Sequence, residues 1–343
     1  MAWLAWFLLM VSLRFDSHGG VVIRRMSADE QLGNDYWSRI HRRETVERGV
    51  PRFLGTKLES VAYFEAMNLP HPRVVAVFDR VADIRWCALG ASFVIKPTFA
   101  HSGLGVFSLE RSGDRYFDAL RRRFVSQSEV EDEISAGIES FDRSQANANI
   151  VVEEKVKDAS GGSAAVDYKF FTFYGEIGMC LVDNKNHGPS RLAYWDGDLM
   201  SIPKGAVHYV DPGLATLVSE PPPPFMGELL DFAAGVSRLI PIPMCRVDLF
   251  MSVAGPLLGE ITLLPGHFYY ETRAVLSAGW SARMGEQWAR AERRIAADHG
   301  RYPLVDRDLT MEELVAAGRR RPPPNQGFAP TVGNIEHGMP ENP

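Results

Sequence analysis

"RVDLFMSVAGPLLGEITLLPG" spans Arg246 to Gly266. Two apolar runs flank "AGP", a turn signal, so the stretch reads as a β-hairpin. Two carboxylates interrupt those runs, Asp248 on the first strand and Glu260 on the second. Unpaired buried carboxylates are costly, which makes a cation their natural partner. Paired carboxylates on neighbouring strands suit magnesium, a hard ion that takes oxygen ligands and shares phosphate oxygens. Arg246 stands two residues before Asp248, so its side chain leaves the same face of the strand. There it could hold a transferred phosphoryl group. Exposed hairpin charges are the plainer alternative.

Upstream, "FVIKPTFAHSGLGVFSLE" runs from Phe93 to Glu110. It reads as a strand, a small-residue loop and a second strand. A Walker loop needs its lysine after the glycines and a helix beyond, and a dinucleotide fingerprint needs the helix and a third glycine. Neither pattern is present. Two readings stay open, a plain hairpin with a lysine beside it or a different phosphate cradle. In the second, Lys96 reaches phosphates from a strand end. Backbone N–H groups at Ser102, Gly103 and Gly105 then cover them.

Outward from these two stretches the pattern is α+β. "DYWSRIHRRETVERG" and "TKLESVAYFEAM" read as helices, the latter with Leu58, Val61, Phe64 and Met67 at helical spacing and a stop at "LPHP". "RVVAVF" reads as a buried strand. Residues 114–146 are charged and read as mostly helical. "ANIVVEEKV" is a strand, "DYKFFTFYGEIGMCLVDNK" a hairpin turning at "YGE", and "FMGELLDFAAGVSRLI" a helix led in by prolines. Residues 271–298 and "TMEELVAAGRRR" are further helices. From Pro322 onward the prolines and the lack of apolar periodicity predict a disordered tail.

Composition narrows the function classes. A net charge of −6 gives no support for a nucleic-acid partner, which usually meets a basic face. Cys87, Cys180 and Cys245 lie far apart without a CxxC, so zinc and a disulfide framework are not expected, and buried free thiols in a reducing cytoplasm are. "MAWLAWFLLMVSLR" is short of the ~20 apolar residues that span a bilayer and lacks a basic leader. A loosely packed extension, a peripheral membrane contact through residues 2–13, and export are three readings of it. The cytoplasm is the expected location, with membrane association open.

In motif order and spacing, residues 50–300 resemble the ATP-grasp superfamily, and most closely its TupA-like branch, named for teichuronopeptide biosynthesis. "TKLES…NLPHP", "FVIKP…HSGLGV", "VVEEKV", "DYKFFTFYGE", "RVDLF" and "GEITLLPG" carry the likeness. It implies two α+β lobes holding a nucleotide between antiparallel sheets. The expected divisions are an apolar extension (1–25), an N-terminal segment (26–92), a first lobe with the glycine loop (93–155), a second lobe with the metal site (156–300), and a short helix with the tail (301–343).

The resemblance also implies roles. Lys57 and Lys96 would contact α- and β-phosphates. Glu153 would accept from the adenine amino group, with the backbone of Lys155 and Val156 along the ring and Asp158 on the ribose. Lys169 would face phosphate or substrate. Asp248, Glu260 and Thr262 would hold Mg2+, with Arg246 on the transferred group. Many superfamily members carry asparagine where Thr262 stands, which implies a weaker second metal. His267, Tyr269, Tyr270, His187 and Arg191 are candidates for substrate contact; Trp195, Trp280 and Trp288 read as packing. The implied activity is a Mg-ATP-dependent carboxylate–amine ligase acting through an acyl phosphate on cell-surface glycan substrates. A kinase acting on a hydroxyl and a non-catalytic nucleotide-binding scaffold are the alternatives.

Overall fold

The structure is a computed structural model that describes residues 11–15, 21–25, 33–98, 105–140, 149–187, 190–202, 215–265 and 276–320. Near the N-terminus, β1 (Val11–Phe15) and β2 (Val21–Arg25) pair antiparallel. The membrane contact suggested for residues 2–13 falls mostly outside the described residues, as does the tail from 321. Among the described residues no helix is long and apolar enough to cross a membrane.

Two six-stranded sheets organise the rest. The first is antiparallel throughout, in the order β3 (Val74–Phe78), β8 (Ile150–Glu154), β4 (Ser92–Pro97), β5 (Phe107–Ser112), β6 (Arg115–Asp118) and β7 (Arg123–Val125). Alternation along β4 and β8 sends Phe93, Ile95, Ile150 and Val152 into a core with Val130 and Ile134 of α3 (Gln127–Ser140). The opposite face carries Val94, Lys96, Val151 and Glu153.

The second sheet runs β12 (Ala215–Leu217), β11 (Ser190–Asp196), β10 (Glu176–Asn184), β9 (Asp167–Phe173), β13 (Cys245–Ser252) and β14 (Gly255–Thr262). Only the β11–β12 pair is parallel. Both faces of this sheet are covered. Tyr168, Phe170, Val247 and Leu249 meet α2 (Lys57–Ala66), α4 (Met226–Arg238) and Leu314 of α6 (Met311–Gly318). Phe171, Phe173, Met179 and Leu181 meet α1 (Tyr36–Thr45) and α5 (Ala278–His299).

Helix α5 shows why the cover forms. Met284, Trp288, Ala291 and Ile295 recur at helical spacing and are all buried. Fully burying each of the three large side chains contributes roughly 1.5–3 kcal/mol. Ser277 caps its start by accepting from Trp280 N, and Gly300 ends it with φ +81°. The α1 cap, Asp35, accepts from Trp37 N at 2.9 Å and from Ser281 Oγ of α5 at 2.9 Å, so one carboxylate starts one helix and ties it to the next. Those bonds outweigh its partial burial and hold the Asp35 carboxyl below the usual range.

Several expectations need correction. Residues 114–146 begin with the β6–β7 hairpin, and the helix occupies only Gln127–Ser140 of the described residues. The "RVVAVF" strand is an edge of its sheet among the described residues, and its Val75 and Val77 are exposed. In α2 the fully buried side chains are Tyr63 and Phe64, while Leu58 and Val61 are half-buried. Packing on β14 and Leu314 turns the helix by part of a residue step from its apolar stripe. Cys180 and Cys245 are buried thiols, but Cys87 is exposed in a short 3-10 turn.

Candidate active site

One end of the second sheet departs from its apolar pattern. Lys169 of β9 lies directly across from Asp248 of β13, and Asp248 lies directly across from Glu260 of β14. Arg246 faces Thr262 in the next pair along the same face. The turn "AGP" fixes the hairpin register. A bulge at Gly259 then brings Glu260, rather than its neighbour, opposite Asp248. A Cβ at Gly259 would stand 2.7 Å from the Phe250 ring, so this bulge requires glycine.

Charge is balanced inside the row. Arg246 forks onto Asp248, Nε to Oδ1 and Nη2 to Oδ2, each at 2.6 Å, and Nη2 also donates to the Thr262 hydroxyl at 3.0 Å. Lys169 Nζ donates to Asp248 Oδ2 at 3.2 Å and makes a short contact to Asp167. Asp248 is 3% exposed, Arg246 8% and Lys169 9%. Burial alone would raise the Asp248 carboxyl, but Arg246 and Lys169 outweigh it and hold it below the usual range. Burial alone would depress Lys169, but Asp167 and Asp248 outweigh that and raise it. Burial pushes Asp167 up. Asp167 escaped the sequence reading, although its place two residues before Lys169 puts both on one face. Its Oδ1 is buried without a hydrogen-bond partner among the described residues.

Arg43 of α1 fastens this end of the sheet. Its buried guanidinium donates to the carbonyl oxygens of Met244 and Leu263, just outside the two strands of the hairpin, and lies 4.3 Å from the Trp288 ring centroid.

On the first sheet, Lys96 Nζ donates to Glu153 Oε2 at 2.6 Å. Lys57 opens α2 and is half-buried. Burial lowers its amine below the ordinary lysine range, and the charges acting on it are Glu260, Lys96, Glu153 and Asp248. Carboxylates of both sheets and the first sheet's lysine therefore act on one ammonium group.

The remaining candidates divide. Lys155 reaches Glu110 at 2.5 Å, Val156 is half-buried beside it, and the neighbouring Glu154 pairs with Arg73. Asp158 accepts from its own loop, from Ser160 N at 2.8 Å and from Val166 N at 2.9 Å, which holds that loop in place. Gly105 has φ +67° and packs on Pro97, with Ile134 beyond, at the end of the glycine loop. Arg191 is held by Glu220 and His187 is exposed. Trp195 and Trp288 are buried, and Trp280 lies under Arg283. Ser102, Gly103, His267, Tyr269 and Tyr270 lie outside the described residues.

The donor set fits magnesium. Two carboxylates and a hydroxyl give oxygen ligands only, on adjacent strands. Among the described residues no group of three or more His, Cys, Asp or Glu is arranged to hold a metal.

The profile of the TupA-like ATP-grasp family matches residues 61–275, more than half of the chain. The chain belongs to the TupA-like ATP-grasp family. The match takes in Lys96, Glu153, Lys169, Arg246, Asp248 and Glu260 and begins just after Lys57. A search of curated proteins gives no match. Among solved structures, D-alanine–D-alanine ligase from Bacillus anthracis complexed with ATP is 14% identical, with a TM-score of 0.37 over 71% of this chain and 66% of that one. The corresponding ligase from Helicobacter pylori is 12% identical, with a TM-score of 0.40 over 81% and 76%. The ATP-grasp ligase PsnB complexed with minimal precursor is 13% identical, with a TM-score of 0.36 over 69% and 59%. The chain thus spans about two thirds of the first of these proteins and less of the last.

Proposed function

We propose that this TupA-like ATP-grasp protein is a carboxylate–amine ligase that activates an acid with ATP. The observation that carries the reading is the charged row of the second sheet, where Lys169, Asp248 and Glu260 stand on facing strands with Arg246 and Thr262 in the next pair. A polyphosphate between the sheets meets lysines and, through a metal, carboxylates.

In this reading Lys57 and Lys96 hold the phosphates, and the backbone at Lys155 and Val156 lies along the base. Gly105 ends the loop that covers the phosphates. Magnesium held by Asp248, Glu260 and Thr262 would neutralise charge on the β- and γ-phosphates. The acid's carboxylate attacks the γ-phosphorus and ADP leaves. The amine then attacks the acyl carbon, phosphate leaves, and an amide forms. Arg246 donates to the transferred phosphoryl oxygens once it turns from Asp248, and Lys169 keeps Asp248 compensated when it does. Positioning carries most of this chemistry, so no side-chain nucleophile is required. Substrates from glycan or cell-surface polymer assembly, and a cytoplasmic location, complete the proposal.

The test is a screen of acids and amines for magnesium-dependent ADP and phosphate release. Release only with both an acid and an amine supports the ligase. Transfer of the γ-phosphate to a single hydroxyl acceptor identifies a kinase instead. Nucleotide binding without turnover of any pair, together with unchanged binding in Glu260→Gln, identifies a scaffold.

A further inference from the structure

Glu260 and Thr262 stand on β14, an edge of the second sheet among the described residues, where β13 is the neighbour that holds it. The ladder between these strands is interrupted beside Glu260 by the Gly259 bulge. The turn "AGP" joins the strands on one side of the bulge. On the open side the last pair is Arg246 with Thr262.

Arg43 of α1 closes that open side. One nitrogen, Nη1, donates to the carbonyl oxygen of Met244, two residues before Arg246, and at 3.3 Å to that of Leu263, one residue after Thr262. A single atom thus bridges the chain leading into Asp248 and the chain leaving Glu260. The guanidinium is itself fixed. Its Nε and Nη2 donate to the Glu47 carboxylate at 2.6 and 3.2 Å, and the Tyr302 hydroxyl donates to the same carboxylate. It lies over the Trp288 ring and is unexposed, so water does not compete for its hydrogen bonds. Arg43 and Glu47 lie before residue 61, where the family match begins.

Magnesium takes near-ideal octahedral geometry at short distances, whereas calcium accepts more ligands at longer and more variable ones. A tether that fixes β14 against β13 therefore matters more to magnesium than to calcium. We propose that Arg43 is a positioning residue for the metal site: by bridging the open end of the hairpin it holds Glu260 and Thr262 in place against Asp248. This rests on the Mg-ATP reading above. A clip that served stability alone would lower the unfolding midpoint and leave the metal dependence of nucleotide binding as it was.

The test is titration calorimetry of ATP into the intact chain in EDTA, in magnesium and in calcium. The proteins compared are wild type, Arg43→Met, Arg43→Lys and Glu47→Gln, each checked for a cooperative melt. The quantity read is the gain in ATP affinity that each metal gives over EDTA. Arg43→Met should cut the magnesium gain by about tenfold, the scale of losing an outer contact that orients metal ligands. Its affinity in EDTA should be unchanged and its calcium gain less reduced. Arg43→Lys, whose ammonium can still donate to both carbonyls, should keep most of the magnesium gain. Glu47→Gln keeps the arginine but loosens its hold, so it should show an intermediate loss, and it carries the test if Arg43→Met does not fold. An equal loss in EDTA and in magnesium, or a wild-type magnesium gain in Arg43→Met or, where that variant does not fold, in Glu47→Gln, overturns the proposal while leaving the Mg-ATP site intact. No ATP binding to wild type, or binding that magnesium does not strengthen, overturns the Mg-ATP reading itself.

Discussion

The two sheets present their charges differently. On the second, Lys169, Arg246 and Asp248 are interlocked, nearly unexposed, and backed by Arg43 holding the hairpin ends. On the first, the Lys96–Glu153 pair stands near an exposed edge strand, next to a loop that ends at a left-handed glycine. The second sheet thus carries a charge constellation built into its fold. The first offers a lysine held in place.

This contrast predicts different penalties on the two sides. Asp248→Ala strands the buried Arg246 cation, leaves Lys169 with Asp167 alone, and should cost about 3–5 kcal/mol of stability, as breaking a buried ion pair does. Urea unfolding measures it, and a loss below that of any first-lobe variant would erase the contrast. Lys96→Ala should act mainly on ligand, weakening Mg-ATP by about tenfold to a hundredfold. Its unfolding midpoint should fall less than that of Asp248→Ala.

Much of the second lobe's site was legible because its signals are local. A turn at "AGP" and apolar runs on both sides suffice to place Asp248 and Glu260 on neighbouring strands, and a period of two puts Arg246 on the face of Asp248. The Gly259 bulge was not legible, since an extra residue shows only once the partner strand is in place. The Lys96–Glu153 pair also needs the sheet order, because β4 and β8 are neighbours in space and far apart in sequence. The β6–β7 hairpin was read as helix because its strands are four and three residues long and charged, and only pairing with β5 makes them strands. The loop bonds of Asp158 were not legible either, because an aspartate that bonds its own loop has the same sequence signature as one that awaits a ligand.

Two smaller effects sharpen the contrast within the first half of the site. Gly105→Ala places a Cβ at φ +67° and 3.1 Å from Pro97, which should cost about 1–2 kcal/mol. The loss should appear in the chemical denaturation midpoint and in weaker Mg-ATP binding if the loop covers phosphates. The Lys57 amine, lowered by burial and by Lys96, loses its proton at a lower pH than an ordinary lysine. Mg-ATP affinity should therefore be full at neutral pH and decline on the alkaline side before pH reaches the usual lysine range. In Lys57→Arg that decline should move to higher pH; an unchanged profile would remove Lys57 from the phosphate site.

The central claim is that two charged faces, one per sheet, form one Mg-ATP site. It is tested most directly by the thermal stabilisation that millimolar Mg-ATP gives wild type, Lys96→Ala and Glu260→Gln. The account predicts a rise in Tm for wild type that is sharply reduced in both variants, although the two residues belong to different sheets. No rise in wild type, or a full rise in either variant, would contradict it.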